Sequence, residues 1–147
     1  MSTDLSGRCI LIAEDEPLIT MEIAAALESA GALVRSALTL RDALRLAEEP
    51  GLSVAIIGLE LGRDTTVALC NRLAERSVPF VVYTGYSETP PEYKPHAVLR
   101  KPADRETILR AVAALIKTRV FTNLSVSRPT TGASASQGRA KRAKPVP

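Results

Sequence analysis

The stretch CILIAEDEP, Cys9 to Pro17, passes from an unbroken apolar block into three carboxylates and a proline. Apolar residues without polar alternation suit a strand buried on both faces, the kind found in parallel sheets covered by helices. Pro17 suits the first turn of a helix, where its missing N–H has no intrahelical partner to lose. Leu18, Met21, Ile23, Ala24, Leu27 and Ala30 then recur as an apolar helical face, and Gly31 supplies a stop. The stretch therefore predicts a buried strand, an acidic turn and a helix.

The same alternation continues outward. Val34 to Leu38 is a second strand, and Thr39 can cap a helix through Glu49 that Pro50-Gly51 ends. Val54 to Gly58 is a third strand. Gly62 begins a loop, and Asp64 is placed to cap a helix to about Arg76. Phe80 to Tyr83 and Ala97 to Arg100 are a fourth and a fifth strand. Asp104 caps a last helix whose inner face carries Ile108, Leu109, Val112, Leu115 and Ile116. Between strands four and five, Tyr86 to His96 holds Pro90, Pro91 and Pro95, so this connection is a loop with at most one helical turn. Alternating strands and helices predict an α/β fold, a doubly wound parallel sheet of five strands with the fourth helix shortened or unwound. Crossovers in such sheets are right-handed, and ligands bind outside the carboxyl ends of the strands.

Composition sets the remaining bounds. The chain has 147 residues, 46% hydrophobic and 24% charged, which suits one globular domain and excludes a wholly disordered chain. No apolar run approaches the ~18 residues of a membrane span, and the N-terminus has no signal-peptide pattern, so the expectation is a cytoplasmic protein. The net charge of +3 conceals two parts. Residues 119–147 carry six basic and no acidic residues, and residues 1–118 carry 13 basic and 16 acidic ones, giving 13 − 16 = −3. The basic character thus belongs to a tail rich in Ser, Thr, Gly and Pro, read as a disordered extension of a domain spanning 8–118. The segment GRAKRAK has no interleaved aromatics, so nucleic-acid contact is expected only electrostatically and only through that tail. Cys9, Cys70 and the lone His96 have no partners at metal-ligand or CxxC spacing, and the cysteines read as free thiols.

Functional residues are expected just after the strands. Glu14-Asp15-Glu16 follows strand one, Gly58-Leu59-Glu60 strand three, Thr84-Gly85 strand four and Lys101-Pro102 strand five. On its own, the acidic triplet could serve only as a favourable charge at a helix N-terminus. Together with a hydroxyl and a lysine on the same rim, paired carboxylates suit Mg²⁺ with oxygen ligands, and the hydroxyl and ammonium suit a phosphoryl group.

With these residues in place, the chain resembles the receiver (CheY-like) domains of bacterial two-component response regulators, over residues 8 to about 117. CILIAEDEP is similar to the first strand and acidic pair of that family, which implies Glu14 and Asp15 as pocket and metal residues. Thr84 matches the hydroxyl after strand four. Lys101-Pro102 matches the lysine after strand five, where the family has a cis peptide. VPFVVYTGY, the following proline-rich stretch and VLRKP are similar to an alphaproteobacterial subgroup with a TGY motif and a shortened fourth helix. The resemblance implies a flavodoxin-like sheet.

Two positions depart from the family. At the end of strand three, where receivers carry the aspartate that accepts phosphoryl from a histidine kinase, this chain has Gly58 in AIIGLELG. Glycine supplies no nucleophile, so the expectation is a site without phosphoaspartate chemistry and without catalytic residues. Metal affinity falls with the lost anion, leaving Glu14, Asp15 and the Glu60 carbonyl as a vestigial set with at most weak Mg²⁺ binding and no cofactor required. The family's switch aromatic, three residues before the lysine, is replaced by Val98. A pair of Lys101 with Glu14 or Asp15 is expected to stand in for metal and phosphate. Glu60 and Asp64, the remaining acidic residues nearby, are poor substitute acceptors.

The function implied is that of a degenerate, stand-alone receiver, not an enzyme. It would act in phosphorelay signalling by phosphorylation-independent contact with a histidine kinase, a phosphotransfer protein or another signalling protein, through Tyr86 to His96, Val98 to Arg100 and the last helix. Two other readings stand beside it. One is a small-anion or ligand sensor using the space at Gly58; the other is an ordinary phosphorylatable receiver whose acceptor aspartate was replaced.

Overall fold

The structure, a computed structural model, describes the backbone of residues 3–127 and side-chain surroundings through Lys117. Five strands form the main sheet: β1 (Cys9–Ala13), β2 (Leu33–Ala37), β3 (Leu52–Ile57), β6 (Phe80–Thr84) and β7 (Ala97–Arg100). Their order is β2-β1-β3-β6-β7, with every neighbouring pair parallel. A two-stranded antiparallel ribbon, β4 (Glu60–Leu61) with β5 (Asp64–Thr65), stands apart from it. The helices are α1 (Pro17–Ser29), α2 (Leu40–Leu46), α3 (Val67–Glu75) and α4 (Arg105–Ser127). Between β6 and β7 there is only a 3₁₀ turn, Pro91–Tyr93, as the three prolines require.

Successive side chains of a strand point to opposite faces, and both faces of this sheet are covered. Leu11, Ala13, Ala55, Ile57, Phe80 and Val82 pack with Ala43 of α2, Ala47 just past its end, and Leu69, Cys70 and Leu73 of α3. Ile10, Ile12, Val54, Ile56, Val81 and Tyr83 pack with Ile23 and Leu27 of α1 and Ile108, Val112, Leu115 and Ile116 of α4. This is the doubly wound, flavodoxin-like architecture expected.

Local chemistry fixes the element ends. Thr39 accepts the Asp42 amide at 3.1 Å and caps α2, and Asp104 accepts the Thr107 amide at 2.8 Å and caps α4. Gly31 has φ +97°, and its amide and that of Ala32 close the end of α1 on Glu28 and Leu27 carbonyls. A Cβ there would lie 2.8 Å from Ser6 Oγ, so glycine is needed for space as well as conformation.

Four expectations are corrected. Leu18 and Met21 are 75% and 64% exposed, because α1 buries the stripe Thr20, Ile23, Ala26 and Leu27, which is narrower than its apolar content. Asp64 does not cap α3. Gly62, at φ +64°, turns the chain back so that Asp64 pairs with Leu61 in the β4–β5 ribbon, and α3 begins only after Thr66. β2 and β3 each lie slightly toward the N-terminus of the expected spans. Finally, α4 runs on to Ser127, so residues 119–127 of the expected tail are helical, and residues 128–147 lie outside the described residues.

Candidate functional site

All five strands of the main sheet point the same way, so their carboxyl ends share one rim. The ends of β1, β3, β6 and β7 bring together Glu14, Asp15, Gly58, Thr84 and Lys101 around a cleft of about 420 Å³. Among the described residues no helix is long and apolar enough to cross a membrane.

Glu14 is the buried charge of the site, at 3% exposure. Its Oε1 accepts from Lys101 Nζ at 3.1 Å and its Oε2 from the Glu16 amide at 3.1 Å. Lys101 also lies with Nζ 5.5 Å from the centre of the Tyr83 ring, within cation–π range. The Tyr83 hydroxyl accepts from the Ala103 amide at 3.0 Å, just past the cis Lys101-Pro102 peptide, and so fixes the backbone that carries Lys101. Of the two pairings considered for Lys101, the one with Glu14 forms.

Asp15 turns elsewhere: its Oδ2 accepts from the Gly62 amide at 2.7 Å, tying the first turn to the loop after β3. Thr84 is buried, and its Oγ1 accepts from the Tyr86 amide at 3.0 Å, while its carbonyl accepts from the Lys101 amide at 2.8 Å. The Thr84 hydroxyl thus braces the start of the proline-rich segment. Val98 is 46% exposed and is not among the residues that line the cleft.

At Gly58 an added Cβ would meet Glu14 Oε1 at 3.5 Å, the Glu60 carbonyl at 3.6 Å and the Ala13 carbonyl at 3.7 Å. These are ordinary contact distances, so glycine is not demanded by crowding at Cβ. The Glu60 carbonyl thus faces Gly58, while the Glu60 side chain is exposed. No group of three His, Cys, Asp or Glu side chains among the described residues is arranged to hold a metal ion. Glu14 has both oxygens engaged and Asp15 Oδ2 holds the Gly62 amide, so the oxygens in the cleft are largely committed to protein partners. That set fits a divalent cation poorly. Three carboxylates against one ammonium also give the rim a net negative charge, which disfavours a free anion.

Three contributors carry no signal in the strand-end pattern. Tyr83 orients the lysine. Thr66, fully buried, donates through Oγ1 to the carbonyls of Gly58 at 2.7 Å and Leu59 at 3.1 Å, holding the turn after β3. Tyr93 donates its phenolic proton to the Leu59 carbonyl at 3.0 Å. Tyr93, like Tyr86, is an aromatic in an otherwise proline-rich, polar stretch, and the sequence offers that contrast without saying which of the two is buried.

Comparison with known proteins fits this geometry. The sequence profile described as "Response regulator receiver domain" matches residues 10–113. The phyllosphere-induced regulator PhyR of Methylorubrum extorquens is 33% identical over 126 residues, covering 81% of this chain and 46% of PhyR. The chain thus spans under half the length of that curated relative. Among solved structures, the CheY-like receiver domain protein of Methanospirillum hungatei superposes with TM-score 0.71 at 19% identity, covering 78% of this chain and 98% of that one. The receiver domain of the sensor histidine kinase PA1611 of Pseudomonas aeruginosa, solved with magnesium coordinated in its active-site cleft, gives 0.69 at 22%, covering 76% and 99%.

Proposed function

Because the chain belongs to the response regulator receiver family of two-component signalling, we propose that it acts there as a phosphorylation-independent interaction module. The observation that carries this reading is the pairing across the ends of β1 and β7, beside Gly58. Gly58 stands where the family resemblance puts the acceptor aspartate, and the carboxylate nearest that place, Glu14, is already bound to Lys101 at 3.1 Å. In a phosphorylatable receiver the lysine serves the phosphoryl group; here its charge is met internally. The pocket is then held in one arrangement with no phosphate and no required metal, and Mg²⁺ binds weakly at most, through Asp15 and the Glu60 carbonyl.

The partner class is a histidine kinase, a phosphotransfer protein or another signalling protein, engaged in the cytoplasm without receiving phosphoryl. Tyr86 to His96, Val98 to Arg100 and the inner turns of α4 form the surface proposed for it. Tyr86 and Val98 are apolar and exposed there, at 61% and 46%. A partner biases such a module if it binds its conformations unequally. The small-anion reading loses ground to the negative rim described above.

The test is a binding and transfer measurement with the phosphotransfer domain of a histidine kinase from the same genome, its histidine carrying a radiolabelled phosphoryl group or none. The reading expects a complex of similar affinity in both states and no label on this chain. Label transferred to this chain contradicts it.

A further inference from the structure

We propose that Tyr93 is a positioning residue that couples the proline-rich segment to the pocket loop, giving the segment a route to the site that bypasses the missing switch aromatic. The segment is anchored at three points. At its start, the Tyr86 amide donates to Thr84 Oγ1 at 3.0 Å. At its end, His96 Nδ1 accepts from the Phe80 amide at 3.3 Å, and its ring meets Phe80 edge to face at 5.2 Å. Between them, the 3₁₀ turn and the left-handed Lys94, φ +48°, press Tyr93 into the core, where it is 5% exposed.

The phenol of Tyr93 does more than fill space. It donates to the Leu59 carbonyl, one residue beyond Gly58. The same carbonyl accepts from the Thr66 amide at 3.1 Å and from Thr66 Oγ1 at 3.1 Å. Leu59 is followed by Glu60, whose carbonyl faces Gly58, and by Gly62, whose amide holds Asp15 at 2.7 Å. A short path of hydrogen bonds and backbone thus leads from Tyr93 through the Leu59–Gly62 loop to Asp15. The segment has a 3₁₀ turn in place of a regular fourth helix, and Tyr93 makes this connection from its middle. Something that grips the segment and displaces Tyr93 releases the loop, and anything that rigidifies the loop orders the segment, since coupling is reciprocal. Its regulatory meaning rests on the phosphoryl-free reading above; the linkage itself does not.

The experiment compares the full chain with Tyr93→Phe, which keeps the ring and removes only the hydroxyl, and with Tyr86→Phe as the control on the exposed phenol. Residue-resolved amide exchange by NMR is the first readout. Loss of the hydrogen bond to Leu59 corresponds to about two- to twelve-fold faster exchange at the Thr66 and Gly62 amides, with strand β3 unchanged and Tyr86→Phe silent. Changes confined to residues 90–96, or an equal acceleration throughout the domain, overturn the proposal. The second readout places both substitutions in a Gly58→Asp background and follows phosphoryl uptake from acetyl phosphate with Mg²⁺. The linkage predicts that Tyr93→Phe changes the uptake rate at least two-fold and Tyr86→Phe does not; an unchanged rate opposes it. If Gly58→Asp takes up no phosphoryl group, the inherited-pocket reading fails, and the exchange data still decide the linkage.

Discussion

Glu14 Oε1 stands 3.1 Å from Lys101 Nζ, and the two side chains differ sharply in exposure, 5% for the carboxylate and 25% for the lysine. The pair is therefore asymmetric. The lysine can reach water if its partner is lost, because a long cationic stem turns outward easily. The carboxylate cannot.

That asymmetry predicts unequal mutational costs. Lys101→Met leaves a buried carboxylate with only the Glu16 amide as partner and is expected to destabilise by about 1–3 kcal/mol or more. Glu14→Gln leaves a lysine that rehydrates, so it is expected to cost less. Urea denaturation of both variants checks this, and a larger cost for Glu14→Gln refutes it.

Thr66 serves the turn after β3 with one hydroxyl proton directed at the Gly58 carbonyl, 2.7 Å away, and shared with the Leu59 carbonyl at 3.1 Å. Thr66→Val keeps the shape and removes the hydroxyl. The Gly58 carbonyl loses the hydroxyl donor, while the Leu59 carbonyl keeps the Thr66 amide and the Tyr93 hydroxyl, and a loss of about 1–3 kcal/mol is expected in thermal or urea unfolding. A change below ~0.5 kcal/mol, the range of ordinary surface substitutions, counts against the role assigned to it.

Helix α1 offers a contrast on one element. Leu27 is fully buried and Leu18 is 75% exposed. Leu27→Ala is expected to cost about 2–5 kcal/mol, whereas Leu18→Ala stays within about 0.5 kcal/mol. Equal effects argue that α1 packs on a different face.

Two titrations have a defined sign. Burial pushes the Cys70 thiol up to about 12 and also raises that of half-buried Cys9. The reactive thiolate is thus scarce at pH 8, and a disulfide exchange reagent should label the native protein slowly and both cysteines rapidly once it unfolds. At the other end of the pH scale, hydrogen bonds from Thr107 hold the Asp104 carboxyl below the usual range. Its folded value is lower than its unfolded value, so its support of α4 is complete above the unfolded value near pH 4 and fades as the pH falls through the folded one. Asp104→Ala is expected to flatten that part of the acid-unfolding curve. An unchanged curve removes the cap from the account.

The fold was legible because each central strand is an apolar block, Pro17 falls where a helix begins, and Pro90, Pro91 and Pro95 fall where one fails. The strand ends were legible for the same reason: once β1, β3, β6 and β7 are parallel, Glu14, Gly58, Thr84 and Lys101 must share a rim. Periodicity was less informative where apolar content exceeds the buried stripe, as with Leu18 and Met21. Asp64 was misread because its capping propensity is local, while the Gly62 turn that recruits it into a strand pair is set by the loop. The partners of Lys101 were open in the sequence, since Glu14 and Asp15 are adjacent and only the Gly62 amide, engaging Asp15, decides between them. Tyr93 could not be placed because its partner is a backbone carbonyl distant in sequence.

The most direct test of the central claim is intact mass after incubation with Mg²⁺ and acetyl phosphate, on this protein and on Gly58→Asp. A Cβ at residue 58 meets nothing closer than 3.5 Å, so the substitution is not blocked at Cβ. The account predicts that the aspartate variant gains one phosphoryl group and the unaltered chain gains none. A phosphoryl group on the unaltered chain would contradict it.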